Sequence, residues 1–405
     1  MILAHEMLIT DRIRTGAYQK AILETVKEGD VVVDLGTGTG ILAFFACQAG
    51  ARKVYAIERE EIIEVAKEIA RANGLEKRIV FIKDVSTEVT LPEKVDVIIS
   101  EILGSFAIEE NLLQFIPDAR DRFLKPKGVL IPSSIEMFLA PVEALDIYDQ
   151  IDFCTENVYG VNFLSVREIT INNSYIESIG PGGFLASPLS INNIDFYKAD
   201  GETHLNSFVS FEVKRAGTLH GLVGWFEAQL SKNILLSTAP HAPTTHWKNT
   251  FFPIEKPVTV SEANTIEANI QATHGENSVI WSWRVKILER KSKNRPLVKA
   301  AFEHSTWRNS LFSKDSLEMR SIDFCPSLNE SGKVELFILS HCNGETTIQQ
   351  IAEKLCEHYH QAYNNIKKAI SKVSWVVRNY SLTPSDSKKN VPHYNISIKN
   401  RKLVK

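Results

Sequence analysis

Three stretches of this chain have residue types and spacing that could do chemistry. Val31-Val32-Val33-Asp34-Leu35-Gly36-Thr37-Gly38-Thr39-Gly40 is an apolar run that ends in an acid and breaks into alternating glycines. Such a run reads as a buried parallel strand turning tightly into a helix N-terminus, where backbone can approach a ligand closely. The next apolar run, Lys53 to Ile57, closes on Glu58 about twenty residues on, where a carboxylate can accept hydrogen bonds from ribose hydroxyls. The third stretch is Ser100-Glu101-Ile102-Leu103-Gly104-Ser105-Phe106-Ala107-Ile108-Glu109-Glu110, with Glu101 directly beyond an apolar run. The first two fit a nucleoside ligand, whereas the G-x-G-x-x-G spacing of dinucleotide binders is absent. A hairpin-like return in the third would bring Glu101 into one pocket with Glu109 or Glu110.

The elements that must position these residues alternate. Strands are predicted at 31–35, 53–58, 79–83 and 95–100, and Asp84-Val85-Ser86 closes the third. Ile62, Ile63, Ala66, Ile69 and Ala70 recur at helical spacing before Asn73-Gly74 stops the helix. This order implies a doubly wound α/β sheet with ligand groups gathered at the carboxyl ends of its strands. Past Pro132 the rhythm changes to short β-rich runs around 137–140, 208–213, 221–226, 257–260 and 279–285, the pattern of an antiparallel barrel or sandwich.

These residues resemble the class I S-adenosylmethionine methyltransferases and, within them, the protein arginine methyltransferases. The Ser100–Glu110 stretch is similar to that family's paired-glutamate segment. Thr245-His246-Trp247 resembles its Thr-His-Trp loop, and the run from His5 to Thr15 resembles the segment ahead of its cofactor fold. The resemblance spans roughly residues 4 to 288. It implies S-adenosyl-L-methionine as cofactor, with Arg14, Asp34, Gly36, Thr37, Gly38, Gly40, Glu58, Val85, Ser86 and Glu101 at its site. It also implies Glu101 and Glu110 as the catalytic pair, with His246 paired to Asp11. Glu109 then becomes an ordinary solvated or helix-start acid. The family's Tyr-Phe-x-x-Tyr lid helix is expected to be missing or replaced, since four residues precede His5. Leu112 stands where some members carry a methionine bearing on product symmetry, and the degree of methylation is not readable from it.

Paired carboxylates suit such chemistry. A guanidinium stays protonated at ordinary pH, so its nitrogens are poor nucleophiles and its charge repels a sulfonium. Two glutamates gripping it neutralise that charge and fix its plane, leaving a remaining nitrogen free to attack in line. For His246, orienting its loop is the favoured role over passing on a proton. Arg14 aligns with the arginine that grips the cofactor's carboxylate.

The chain has 405 residues, net charge −3, 44% hydrophobic and 23% charged residues, which is ordinary for a soluble protein of two or three domains. It has no apolar run of membrane-spanning length and no secretory signal, so a cytoplasmic location is expected. Its five cysteines show no C-x-x-C spacing and read as reduced thiols, with no metal site.

The expected organisation is a cofactor domain over 1–134 and a β-barrel substrate domain over 135–290. A dimerisation arm near 145–180 implies a homodimer, and 291–318 reads as linker. Residues 319–382 contain Asn343-Gly344-Glu345-Thr346-Thr347-Ile348 leading into a helix, with Thr347 and Gln350 as a capping box. That region resembles the PqqD-like domains, small winged-helix folds that capture leader peptides; the alternative is a helical appendage. The basic tail, 383–405, reads as disordered, and the acidic balance elsewhere argues against nucleic acid. The expected substrate is arginine in a protein or in a ribosomally made precursor peptide. The alternatives are N-methylation of a small guanidine or other nitrogen nucleophile, and a catalytically silent dimeric scaffold.

Overall fold

The structure is a computed structural model and describes residues 2–155, 157–201, 205–274, 279–290, 297–309 and 313–381. It divides into two units, 1–311 and 312–405.

The first unit begins with two helices, α1 (Ile2–Thr10) and α2 (Arg12–Thr25). They lead into strands β1 (Val31–Leu35), β2 (Lys53–Glu58), β3 (Ile79–Lys83), β4 (Val95–Ser100) and β5 (Leu124–Ile131). Helices α3 (Ile41–Gln48), α4 (Ile63–Ala72) and α5 (Leu112–Phe123) alternate with them. The five strands form one parallel sheet in the order β3-β2-β1-β4-β5. Every residue of β1 is buried, as a central strand covered on both faces requires. The order reverses between β1 and β4, which opens a crevice at their carboxyl ends.

From residue 134 the chain is antiparallel. Strands β6 (Ser134–Val142), β9 (Tyr175–Glu177), β10 (Leu189–Asp195), β12 (Gly217–Gln229), β13 (Leu235–Ser237) and β14 (Asn249–Val260) form one sheet. A second, in the order β11-β15-β16-β17, is built from β11 (Leu205–Glu212), β15 (Asn264–His274), β16 (Val279–Glu289) and β17 (Leu297–Ser305). Between β6 and β9 lie α6 (Leu145–Ile151), a two-residue hairpin of β7 (Asn157–Val158) and β8 (Val161–Asn162), and α7 (Arg167–Ile171). One apolar core runs without a break from the parallel sheet into the antiparallel ones.

Two expectations change here. Part of the expected linker, 297–305, is an edge strand paired with β16 from Ser282–Ser305 to Glu289–Leu297. Its alternation of Leu, Lys, Ala and Phe is short, and the pairing partner is what selects strand. Lys291 to Pro296, the solvated part of that linker, lies outside the described residues, as does the basic tail from 383. Where the family's lid helix is expected to be missing or replaced stands α1, a short helix on the cleft described below.

The second unit holds α8 (Lys314–Glu318), α9 (Glu330–Leu339), α10 (Ile348–His358) and α11 (Ile366–Tyr380). The last three share a core of Val334, Ile338, Ile351, Ala352, Leu355, Ala369, Val373 and Val376. The Thr347–Gln350 capping box is present. Among the described residues this unit contains no strand, so the small sheet of a winged helix is not seen there.

Candidate active site

The glycine turn after β1 is shaped by what lies beneath it. Asp34 is fully buried, and its Oδ2 accepts hydrogen bonds from Thr37 Oγ1 (2.5 Å) and Ala43 N (3.0 Å). That ties the turn to the first residues of α3. Burial, with the Glu58 charge adding, pushes the Asp34 carboxyl up to about 6, and its Oδ1 has no hydrogen-bond partner. Gly40, the residue before α3, has φ +87°, and a Cβ there would lie 2.7 Å from the Phe44 ring. Glycine is required on both counts.

At the carboxyl ends of β1, β2 and β4 this turn opens on a cleft of about 520 Å³. Gly36, Thr37, Gly38, Glu58, Val85, Ser86, Arg14, Glu101 and Glu110 all line it. The Glu58 carboxylate accepts from Gly38 N (3.0 Å) and Glu60 N (2.9 Å), so it is fixed at the glycine turn with further lone pairs free. Asp34, Gly40, Asp11 and His246 do not line the cleft; they hold its walls.

Arg14, on α2, and Glu101, just beyond β4, form an ion pair with both side chains 6% exposed. The Arg14 fork also donates to Leu8 O of α1 (3.0 Å), while its Nε is unpartnered. Through this arginine the N-terminal helices are fastened to the acidic loop. The segment ahead of the sheet therefore closes one side of the cleft, and His5 and Leu8 of α1 line it. His5 lies against the glycine turn: a Cβ on Gly38 would stand 3.2 Å from its ring.

Asp11 caps α2 through Arg14 N (2.9 Å), and its other oxygen accepts from the backbone N–H of His246 (2.9 Å). The His246 ring Nδ1 stands 2.9 Å from the same oxygen; facing a carboxylate, Nδ1 carries the proton. Burial alone would raise Asp11, but these hydrogen bonds outweigh it and hold it below the usual carboxylate range. Burial, aided by the Arg14 charge, pulls His246 down, so the ring is neutral near pH 7. The next residue, Trp247, donates its indole N–H to Leu103 O at 2.7 Å, joining the Thr-His-Trp loop to the acidic loop.

In that acidic loop Gly104 and Ala107 bridge each other (3.0 and 3.1 Å), the return that brings Glu101 and Glu110 to one cleft. Glu110 is exposed to the cleft, yet protein around its carboxyl raises it above its ordinary value while Arg14 and Arg59 pull it down. Glu109 departs from expectation. It is not a free surface acid: partly buried and lining the cleft beside Glu110, it closes on the loop, where both carboxylate oxygens lie 3.0 Å from Phe106 N. No side-chain cap is made at the start of α5, so neither acid serves that helix. The composition of the loop gives no sign of this closure, because two adjacent glutamates are locally equivalent.

The comparisons bear on both sheets. Residues 133–286 match the arginine methyltransferase oligomerization subdomain, and residues 15–137 match ribosomal protein L11 methyltransferase. Protein arginine N-methyltransferase 1 of Dictyostelium discoideum is 34% identical over 269 residues, covering 65% of this chain and 79% of that protein. Protein arginine N-methyltransferase 6 of Xenopus tropicalis is 32% identical over 279 residues, covering 66% and 82%. Among solved structures, Arabidopsis thaliana protein arginine methyltransferase 10 superposes with a TM-score of 0.66 at 27% identity, covering 76% of this chain and 98% of its own. The Trypanosoma brucei enzyme–prozyme heterotetramer, solved with AdoHcy, shares the fold at a TM-score of 0.65 and 24% identity, covering 74% and 98%.

Proposed function

Because this chain belongs to the protein arginine N-methyltransferase family, and is with it an S-adenosylmethionine-dependent methyltransferase, we propose that its cleft methylates an arginine guanidinium of a protein or peptide. The observation that carries the reading is that Glu101, Glu110 and Arg14 meet in one cleft with the glycine turn and Glu58. S-adenosylmethionine supplies a methyl group on a sulfonium. The residues fit it: Glu58 offers free lone pairs for ribose hydroxyls, Gly36 to Gly38 let backbone approach, and Arg14 brings a positive charge to the cleft for the cofactor's carboxylate. Val85 and Ser86 form the wall beyond Glu58.

Glu101 and Glu110 hold the guanidinium through its N–H groups, offset its charge and orient one nitrogen toward the methyl carbon. The cofactor, when bound, would supply the methyl carbon and leave as the neutral thioether, and the nitrogen that takes the methyl group would release one proton to solvent in the cleft. His246 and Asp11 act on the wall, holding the Thr-His-Trp loop against α2. Glu101→Gln removes the charge partner and hardly alters shape. Turnover on an arginine peptide should fall by orders of magnitude while cofactor affinity, read by titration calorimetry, stays nearly intact. Wild-type turnover in that variant overturns the paired-glutamate reading.

Homodimerisation through residues 145–180 is part of the proposal. Leu145, Phe153, Val161 and Leu164 expose apolar side chains there, within the matched oligomerization subdomain. We also propose that the C-terminal unit recruits the leader of a precursor peptide. Its support is an independent helical core with Leu336, Ile348, Ile366 and Trp375 left exposed. Tethering would present the attached core peptide at about millimolar local concentration. Deleting 312–405, which spares β17, should raise KM for a full-length precursor far more than for its core alone. Equal losses on the two rule recruitment out.

A further inference from the structure

Between Glu101 and α5 the chain takes a path it would not take unaided. Ala107 (φ +69°) and Asn111 (φ +57°) both sit in the left-handed region, which a residue with a Cβ, and alanine above all, adopts at a cost. Something must hold the loop in that path. Three contacts do so. Trp247 holds Leu103 O. Phe106 is fully buried against Trp281 (5.1 Å between ring centroids) and Phe252 (5.7 Å), and Gly224 leaves room for it, since a Cβ there would lie 2.5 Å from its ring. Glu109 supplies the third, with its carboxylate closed on Phe106 N, and the Trp281 indole of β16 acts to lower its carboxyl from nearby.

Gly104 makes the third contact possible. A Cβ at that position would stand 2.3 Å from Glu109 Oε2 and 2.6 Å from its Cβ. Its φ is not in the left-handed region, so the space and not the backbone is what excludes a side chain. Burying a carboxyl here is costly: desolvation, with the adjacent Glu110 charge adding, pushes it up to about 7. A partly buried acid next to the exposed Glu110, held at that cost, serves the loop's geometry.

We propose that Glu109 is a positioning residue for methyl transfer: by bracing the loop on itself beside the Trp281 ring it sets where Glu110 faces the cleft. The inference rests on the reading of Glu110 as one of the guanidinium-gripping pair. Glu109 lines the cleft beside Glu110, and the role proposed for it runs through the Phe106 N–H that its carboxylate holds.

Glu109→Ala, Glu109→Gln, Gly104→Ala and the Gly104→Ala/Glu109→Ala pair test it in the full-length protein. Misplacing a gripping carboxylate by an ångström costs roughly tenfold to a hundredfold. Glu109→Ala and Gly104→Ala should each lower kcat/KM for an arginine peptide by that much, with the affinity for S-adenosylhomocysteine within about twofold of wild type. Gly104→Ala should cost almost nothing further once Glu109 is alanine, because the collision it creates is gone. Glu109→Gln keeps an acceptor for Phe106 N–H and should recover most of the activity. An activity-independent readout is the Trp281 indole resonance in ¹⁵N-tryptophan protein, assigned with Trp281→Phe, which should move in Glu109→Gln even if the alanine variants fail to fold. Wild-type kcat/KM in Glu109→Ala, equal Gly104→Ala losses in both backgrounds, or an unmoved Trp281 resonance overturns the brace. A wild-type protein inactive on every arginine peptide would instead sink the guanidinium reading, with the resonance still reporting the brace.

Discussion

Removing Arg14 should unfasten the N-terminal helices from the acidic loop, and the size of the effect can be worked out. Both partners of the Arg14–Glu101 pair are 6% exposed, and the remaining hydrogen bond to Glu101 is a long one from Leu103 N (3.4 Å). Arg14→Met therefore strands a buried carboxylate, which costs about 3–5 kcal/mol, much of it the penalty of the unpaired charge. In a unit of this size that is roughly 6–10 °C in Tm. Replacing Glu101 by glutamine first removes the charge that Arg14 must satisfy. Arg14→Met in that background should then cost about 1 kcal/mol or less, the worth of lost packing and of the bond to Leu8 O. Urea unfolding and scanning calorimetry of the four proteins complete the cycle. If Arg14→Met costs the same in both backgrounds to within about 0.5 kcal/mol, the pair does not couple the two segments and the reasoning fails.

His304 is buried against Trp283 (5.2 Å) with both ring nitrogens unpartnered, and burial pulls it down to about 4. Its folded value is below its unfolded one, so the unfolded chain binds more protons between about 6.5 and 4. Stability is full above that window and falls by about 3 kcal/mol as pH drops through it. His304→Phe should flatten the wild-type curve there, and parallel curves would count against it. Gly38→Ala places a side chain at φ +54° and 3.2 Å from the His5 ring. It should weaken S-adenosylhomocysteine binding by about 1–2 kcal/mol, and an unchanged calorimetric Kd would contradict this. Asp11→Asn keeps one acceptor where Arg14 N, His246 N and the His246 ring now share two. A loss of about 1–2 kcal/mol is expected by urea unfolding; wild-type stability would show that the shared cap carries little.

Features governed by neighbours in the chain were legible from the residues. The glycine turn after Leu35, Glu58 at the end of β2, Glu101 at the end of β4 and the Thr347–Gln350 capping box all follow from strand length, turn chemistry and helical period, which act over a few residues. The hairpin return between Glu101 and Glu110 was legible for the same reason. What the tertiary structure alone decided are pairings between distant segments. Arg14 meets Glu101 across 87 residues and Asp11 meets His246 across 235. Residues 297–305 form a strand because β16 offers an open edge. Most telling are the adjacent acids: Glu109 and Glu110 have the same side chain and nearly the same local sequence and both line the cleft, yet one closes its carboxylate on the loop backbone and the other is left exposed. The Phe106 N–H and the missing Cβ of Gly104 make that difference, and burial and hydrogen bonding of a carboxylate depend on surroundings that only the folded chain assembles.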